Sequence, residues 1–130
     1  MDGMVTLKSA FGPTETMDRF QAAVSAKGMA VFARVDHAKG AAEVGLKLLP
    51  TELLIFGSAR AGTPLMQQDQ RIGLDLPLKA LVWQDDSAET WLTYKDPGWV
   101  VLHHGLAAGN PIASAMAAAL AALAAAAVGA

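Results

Sequence analysis

The stretch from Pro50 to Asp86 constrains the fold more than any other part of the chain. Its short apolar run from Glu52 to Gly57 is typical of an interior strand. We predict a glycine-bounded turn next, followed by a short helix with Thr63 as its cap and Pro64 at its first position. Leu76 to Gln84 is then predicted as a second strand. The block indicates two strands joined by a helical connection, and it contains no catalytic motif.

Periodicity and turn residues predict the elements on either side of this block. The predicted elements are a strand from Val5 to Ala10, a helix capped by Thr14 and ended by a left-handed Gly28, a strand from Ala30 to Asp36, a short helical turn within His37 to Lys47, a hairpin strand from Glu89 to Tyr94, a helical turn from Trp99 to His104, and a long helix from Asn110 and Pro111 to about Val128. No repeat or linker interrupts them, so residues 1–130 are predicted to form one domain.

The composition is typical of a globular protein, since 53% of the residues are hydrophobic and 17% are charged. The formal net charge is −2 and the basic residues are scattered singly, which argues against nucleic acid as a partner. The absence of cysteine excludes disulfides and thiolate chemistry and fits a reducing cytosol. An acid at position 2 and the lack of an apolar run before Pro13 argue against a signal peptide. We therefore expect a cytoplasmic protein.

The C-terminal helix is rich in alanine, and no charged residue occurs from Gly105 to the end of the chain. Alanine contributes little to membrane insertion, and no Lys or Arg flanks the segment. Ile112, Met116, Leu120 and Leu123 instead recur at helical spacing and form one apolar stripe. We expect this stripe to pack on the sheet and the small residues opposite to allow a second subunit to approach, with no membrane partner.

The glycine-rich segment from Gly57 to Pro64 invites comparison with a phosphate-binding loop, because it follows a buried strand and precedes a helix. Thr63 stands where a nucleotide-binding loop needs lysine, and Pro64 lacks an amide donor, so a nucleotide triphosphatase is rejected. A weaker site for an anion or a small ligand remains. Its predicted residues are Gly57, Ser58, Arg60, Gly62 and Thr63, with Asp36 and His37 nearby. The alternative is that the glycines only permit the turn.

Histidines and carboxylates supply the candidates for other chemistry. Adjacent residues on a helix point about 100° apart, so His103 and His104 are poorly placed to share a metal ion, and we expect no metal. Acid–base catalysis would need a base such as His37 or His104 beside a carboxylate in a cleft. The other titratable candidates are Asp36, Glu43, Asp75, Lys79 and Asp96. The aromatic side chains Trp83, Trp91, Tyr94 and Trp99 are interpreted as packing groups.

Three segments together resemble a known bacterial and archaeal family, domain of unknown function 302. They read KGMAVFARVDHAKGAAEVGL, PTELLIFGSARAGTPLMQ and GLDLPLKALVW. The resemblance covers about Phe11 to Leu106 and leaves the alanine-rich helix, about residues 110–128, outside. It implies an α+β fold similar to one half of the TATA-binding protein, with a mostly antiparallel sheet covered on one face by an N-terminal helix and the long C-terminal helix. It also implies a homodimer and supplies no catalytic residues.

These observations leave three functional hypotheses open. The first is a non-enzymatic, cytoplasmic homodimer that binds a small ligand or an anion near Gly57 to Pro64, with no cofactor. The second is a small enzyme that uses a histidine and a carboxylate as an acid–base pair. The third is a purely structural dimerisation module. A cleft that holds His37 or His104 within about 3 Å of a carboxylate would favour the enzyme.

Overall fold

The computed structural model describes residues 2–129, which form a β-sheet and a set of helices. The strands are β1 (Met4–Lys8), β2 (Ala30–Asp36), β3 (Thr51–Gly57), β4 (Leu78–Gln84) and β5 (Thr90–Lys95). The helices are α1 (Pro13–Ala26), α2 (His37–Glu43), α3 (Ala59–Gln68), α4 (Pro97–His103) and α5 (Pro111–Val128), and a 3₁₀ turn spans Gln70–Leu74.

The sheet has the strand order β1-β5-β4-β3-β2, and every neighbouring pair is antiparallel. Successive side chains of a strand point to opposite faces, so each strand contributes one set of residues to each face. Helices α1 and α5 lie side by side on one face and leave the other without a helical layer. The predicted fold class, an antiparallel sheet covered on one face by the N-terminal and C-terminal helices, is confirmed.

The main core lies between the sheet and this helical layer. Phe20 of α1 and Phe56 of β3 meet edge to face with ring centroids 5.2 Å apart, and both side chains are fully buried. Helix α5 contributes Leu120 and Leu123 from its predicted apolar stripe. The remaining fully buried members of the main core come from both layers: Met17, Val24, Leu54, Ala80, Leu92, Ala124 and Ala127.

Local chemistry explains the helix ends that were predicted well. The Asn110 side chain accepts hydrogen bonds from the backbone N–H groups of Ile112 and Ala113, at 3.0 and 3.3 Å. It therefore satisfies donors that the first turn of α5 leaves free. Gly28 follows α1 with a φ of +76°, a conformation that favours glycine. The predicted strand from Ala30 to Asp36 is found with the same bounds.

Two predicted helix caps are wrong. Helix α1 begins at Pro13 after Gly12, so Thr14 lies inside the helix. Helix α3 begins at Ala59, directly after β3, with Ser58 as its N-cap. The amides of Ala61 and Gly62 both donate to the Ser58 carbonyl, at 3.1 and 2.8 Å, and thereby close the first turn. Pro64 lies inside α3, where it has no amide N–H to donate to the preceding turn.

The Phe20–Phe56 contact allows a direct test of the core. Replacing Phe20 by alanine removes a fully buried ring and leaves a cavity, so we expect a loss of about 3–5 kcal/mol in the free energy of unfolding. Phe32→Ala is the matched control because that ring is 58% exposed, and we expect a change below about 1 kcal/mol. Urea unfolding of both variants measures the difference, and equal losses would contradict this assignment of the core.

Candidate functional site

A cavity of about 700 Å³ lies between α3, α5 and the adjoining ends of β2, β3 and β4. Volumes of this size are typical of small-molecule sites. The α3 side contributes the whole run from Ser58 to Pro64, and α5 contributes Ile112 and the small residues Ala115 and Ala119. The remaining walls are apolar: Met29, Phe32, Met66, Leu76, Pro77, Leu78, Pro111 and Met116.

Polar groups enter this cavity from one side only, along the start of α3. Ser58 makes no capping hydrogen bond with its side chain, so its hydroxyl is available to a ligand. Arg60 and Thr63 are exposed and lie on the same wall. The arrangement can enclose an apolar molecule and direct a polar or anionic group of that molecule toward Arg60.

Five of the seven predicted site residues share this wall: Gly57, Ser58, Arg60, Gly62 and Thr63. Asp36 and His37 do not. The register pairs Ala30 with Gly57 and Asp36 with Glu52, so Asp36 lies at the other end of the β2–β3 pair, about 20 Å away at ~3.3 Å per residue. The prediction that Asp36 and His37 lie beside the loop is wrong, because antiparallel pairing places the end of β2 next to the start of β3.

Asp36 and His37 have a local structural position instead. The Asp36 carboxylate accepts a hydrogen bond from the Lys39 amide at 2.9 Å and caps α2. His37 is the first residue of α2 and is exposed. Among residues 2–129, no group of three or more His, Cys, Asp or Glu side chains is placed to hold a metal ion.

A histidine–carboxylate pair occurs elsewhere, between His104 at the end of α4 and Asp75 after the 3₁₀ turn. His104 Nε2 lies 2.6 Å from Asp75 Oδ2, and the histidine side chain is only 11% exposed. The hydrogen bond from His104 lowers the pKa of Asp75 below its ordinary value, and the charges of Lys95 and Lys79 act in the same direction. The acid–base hypothesis requires a histidine within about 3 Å of a carboxylate, and this pair meets that requirement. However, neither residue lines the cavity beside α3.

Sequence reasoning named Asp75 and His104 separately but did not pair them. They are 29 positions apart and meet only because α4 and the 3₁₀ turn close the same end of the sheet. Their neighbour His103 stacks on Trp99 with ring centroids 5.0 Å apart, so the two adjacent histidines have different partners. Sequence reasoning also missed the part of the cavity wall that α5 forms, because the alanines there were interpreted only as good helix formers.

Helix α5 is the one helix within residues 2–129 that has the length and composition to cross a membrane. Its mean hydropathy is 2.0 over Pro111–Val128, and 39% of that segment is buried inside the protein. Its apolar side chains Met116, Leu120 and Leu123 are buried against the other elements.

The fold and cavity define a small α+β domain whose antiparallel sheet is covered on one face and which carries a ligand-sized cavity beside α3. The family model described as domain of unknown function DUF302 matches residues 5–127, and the chain belongs to this family. The matched range includes nearly all of α5, which lies beyond the segments that showed the resemblance. A crystal structure of an uncharacterised conserved DUF302 protein from Bacillus stearothermophilus has the same fold, with a TM-score of 0.85 over 95% of this chain and 96% of that chain at 22% identity.

Curated relatives come from the genus Brucella. The chain is 49% identical over 111 residues to "Fluoride-specific ion channel FluC 1" of Brucella suis biovar 1, which covers 85% of this chain and 44% of that protein. The FluC 1 protein of Brucella abortus biovar 1 matches with the same identity, over 41% of its length. The chain therefore spans less than half the length of these relatives.

The Asp75–His104 pair makes a testable contribution to stability. The pKa of Asp75 is lower in the folded protein than its ordinary value of 3.8. The pair therefore stabilises the fold fully at pH values above 3.8, and this contribution is lost as the pH falls through the pKa that Asp75 has in the folded protein. We expect Asp75→Asn to lower the free energy of unfolding by about 1–2 kcal/mol at pH 7 and by progressively less below pH 3.8.

Asp86→Asn is the matched control, because Asp86 is an exposed carboxylate in the turn between β4 and β5. We expect it to change stability by less than about 0.5 kcal/mol. Urea unfolding between pH 3 and pH 7 compares the two variants. Equal effects at pH 7, or an Asp75→Asn effect that does not depend on pH, would contradict a stabilising role for the Asp75–His104 contact.

Proposed function

We propose that this domain binds a small molecule with an apolar body in the cavity between α3 and α5. The single observation that supports this proposal is the cavity itself, about 700 Å³ in volume and lined almost entirely by apolar side chains. A cavity of this kind exposes apolar surface to water in the free protein. A ligand that fills it removes that surface from water, which is the main source of affinity for apolar molecules.

We propose further that the ligand carries a polar or anionic group and that Arg60 faces it. Helix α3 begins at Ala59, so the first amide N–H groups of the helix lie at this wall together with the Ser58 hydroxyl. Thr63 is one helical turn beyond Ala59 and adds a second hydroxyl on the wall. These groups would orient the ligand, while the apolar walls would supply most of the binding energy.

We propose binding rather than catalysis at this cavity, because its polar side chains are a serine, a threonine and an arginine without a histidine or carboxylate beside them. The Asp75–His104 pair supports the alternative of an acid–base enzyme at a different place in the molecule. We also propose a cytoplasmic location for this domain. The burial of the apolar stripe of α5 inside the protein supports it.

Cavity filling tests the proposed function. We expect 8-anilinonaphthalene-1-sulfonate, an apolar body with one anionic group, to bind with a saturable rise in fluorescence. Ala119→Phe places a ring in the cavity, and we expect at least tenfold weaker binding, equal to about 1.4 kcal/mol. Arg60→Gln removes the positive charge from the wall, and we expect severalfold weaker binding.

Ala118→Phe is the matched control, because Ala118 is an exposed residue of α5 outside the cavity lining. We expect this variant to bind the probe like the unmodified protein. Titrations of the three variants, each with a melting curve to confirm folding, provide the comparison. Unchanged affinity in Ala119→Phe, or equal losses in Ala118→Phe, would contradict binding in the cavity.

A second candidate function is dimerisation through the uncovered face of the sheet. Leu53, Ile55, Leu81 and Trp83 share this face according to the strand register. Trp83 stacks on Trp91 with centroids 6.1 Å apart. Between α2 and β3, the segment from Val44 to Leu49, here called the apolar arm, exposes four large side chains: Val44, Leu46, Leu48 and Leu49.

We propose that two copies cover these surfaces reciprocally. Each chain has one uncovered sheet face and one apolar arm, so the same two patches can meet twice across a two-fold axis. The likeness to one half of the TATA-binding protein remains a proposal as well, with the uncovered sheet face as its support.

Substitutions in the apolar arm test this second candidate. We expect a dimer at micromolar concentration in sedimentation velocity, and we expect Leu48→Asp combined with Leu49→Asp to raise the dimer dissociation constant at least tenfold by placing charges in an apolar contact. Leu102→Asp is the control, because Leu102 is 53% exposed on α4, away from the arm. A monomeric unmodified protein would contradict the dimer.

A further inference from the structure

The sheet splits at one end, between β4 and β5. These strands pair only from Leu81 with Thr93 to Gln84 with Thr90. Beyond that point, Leu78 to Ala80 continue to pair with β3, and Tyr94 and Lys95 continue to pair with β1. Two segments that would be neighbours in a regular sheet are therefore not paired with each other. A cleft of about 460 Å³ opens here; it shares Leu76, Leu78 and Met116 with the cavity beside α3 and extends from them to the opposite side.

The walls of this cleft come from both faces of the sheet. Leu53, Leu81 and Thr93 belong to the uncovered face, whereas Leu65, Ile72 and Leu120 belong to the helical side. Helix α4 closes a further wall with Val100 and Val101. The interior is thus apolar, and its volume fits a small organic molecule.

Two lysines, Lys79 and Lys95, line the cleft. Within residues 2–129, neither Lys79 nor Lys95 forms a salt bridge within 4.0 Å. The Lys79 ammonium donates one long hydrogen bond, 3.3 Å, to the Pro77 carbonyl, and the Lys95 ammonium lies 5.6 Å from the centre of the Trp99 ring. Both lysines are exposed, so their charges are available to an anion that enters from solvent.

Two further polar groups belong to the same cleft. The Tyr94 ring lines it from the helical side and is 8% exposed. The Asp75 carboxylate also lines the cleft; His104 engages it at 2.6 Å, and the charges of Lys79 and Lys95 act on it as well. Because two lysines line the cleft against one carboxylate, an incoming anion meets a net positive charge.

We infer that the cleft binds an organic monoanion, a free carboxylate with an apolar chain, whose carboxylate lies between Lys79 and Lys95. The chain of the ligand occupies the apolar interior between Leu81 and Val101. A charge-assisted contact to the two ammonium groups supplies orientation, and the burial of the chain supplies affinity.

Decanoate is a suitable probe, and two-dimensional amide NMR of the ¹⁵N-labelled protein locates and measures its binding. We expect saturable shifts at Leu53, Leu81 and Val101. Lys79→Gln combined with Lys95→Gln should weaken decanoate binding at least tenfold. 1-Decanol, which has the same chain without the charge, should bind the lysine variant and the unmodified protein equally.

Lys8→Gln is the control for nonspecific charge effects, because Lys8 also lies on the uncovered face of the sheet but pairs with Glu89 at 3.0 Å, at the opposite end. We expect it to change the decanoate dissociation constant less than twofold. Equal affinities in the double lysine variant and in Lys8→Gln would overturn the inference. Shifts confined to Ala61 and Ala119 would also overturn it, because decanoate would then occupy the cavity beside α3.

Discussion

The burial of one sheet face under α1 and α5 is the constraint on which the rest of this structure depends. Phe20 and Phe56 meet at its centre, and α5 adds Leu120 and Leu123 along the same layer. The other helices, α3 and α4, pack against α5 rather than directly over the sheet centre. They therefore close the end of the layer, where a second buried cluster forms around Leu65, Ile72 and Val101. Both candidate ligand sites lie at this end.

Much of the fold follows from short-range signals in the sequence. The strand Ala30–Asp36 and the helix that begins after Asn110 depend on alternation and on capping, which act within a few residues. The start of α3 was mispredicted because threonine and proline are typical of a helix start, whereas Ser58 caps this helix without a side-chain hydrogen bond. The 3₁₀ turn was not predicted, although Asp69 accepts a hydrogen bond from the Arg71 amide at its start.

The candidate sites were predictable only where their residues are close in sequence. The wall from Gly57 to Thr63 is one continuous segment, so its residues were found together. Asp36 and His37 were assigned by proximity along the chain, and the antiparallel register separates them from that wall. The lysines of the β4–β5 cleft and the Asp75–His104 pair depend on where distant elements end in space. No spacing along the sequence contains that information, because it arises from the packing of α4 and of the split strands.

The central claim is that the family fold carries a binding site for an apolar molecule between α3 and α5. The alanines of α5 leave room for this molecule. The most direct measurement is a crystal structure of the protein purified without denaturation from its own organism. We predict electron density for an ordered small molecule against Ser58, Ile112 and Ala119. A structure in which Met66 and Leu76 fill the space and bring α3 into contact with α5 along its length would contradict the claim.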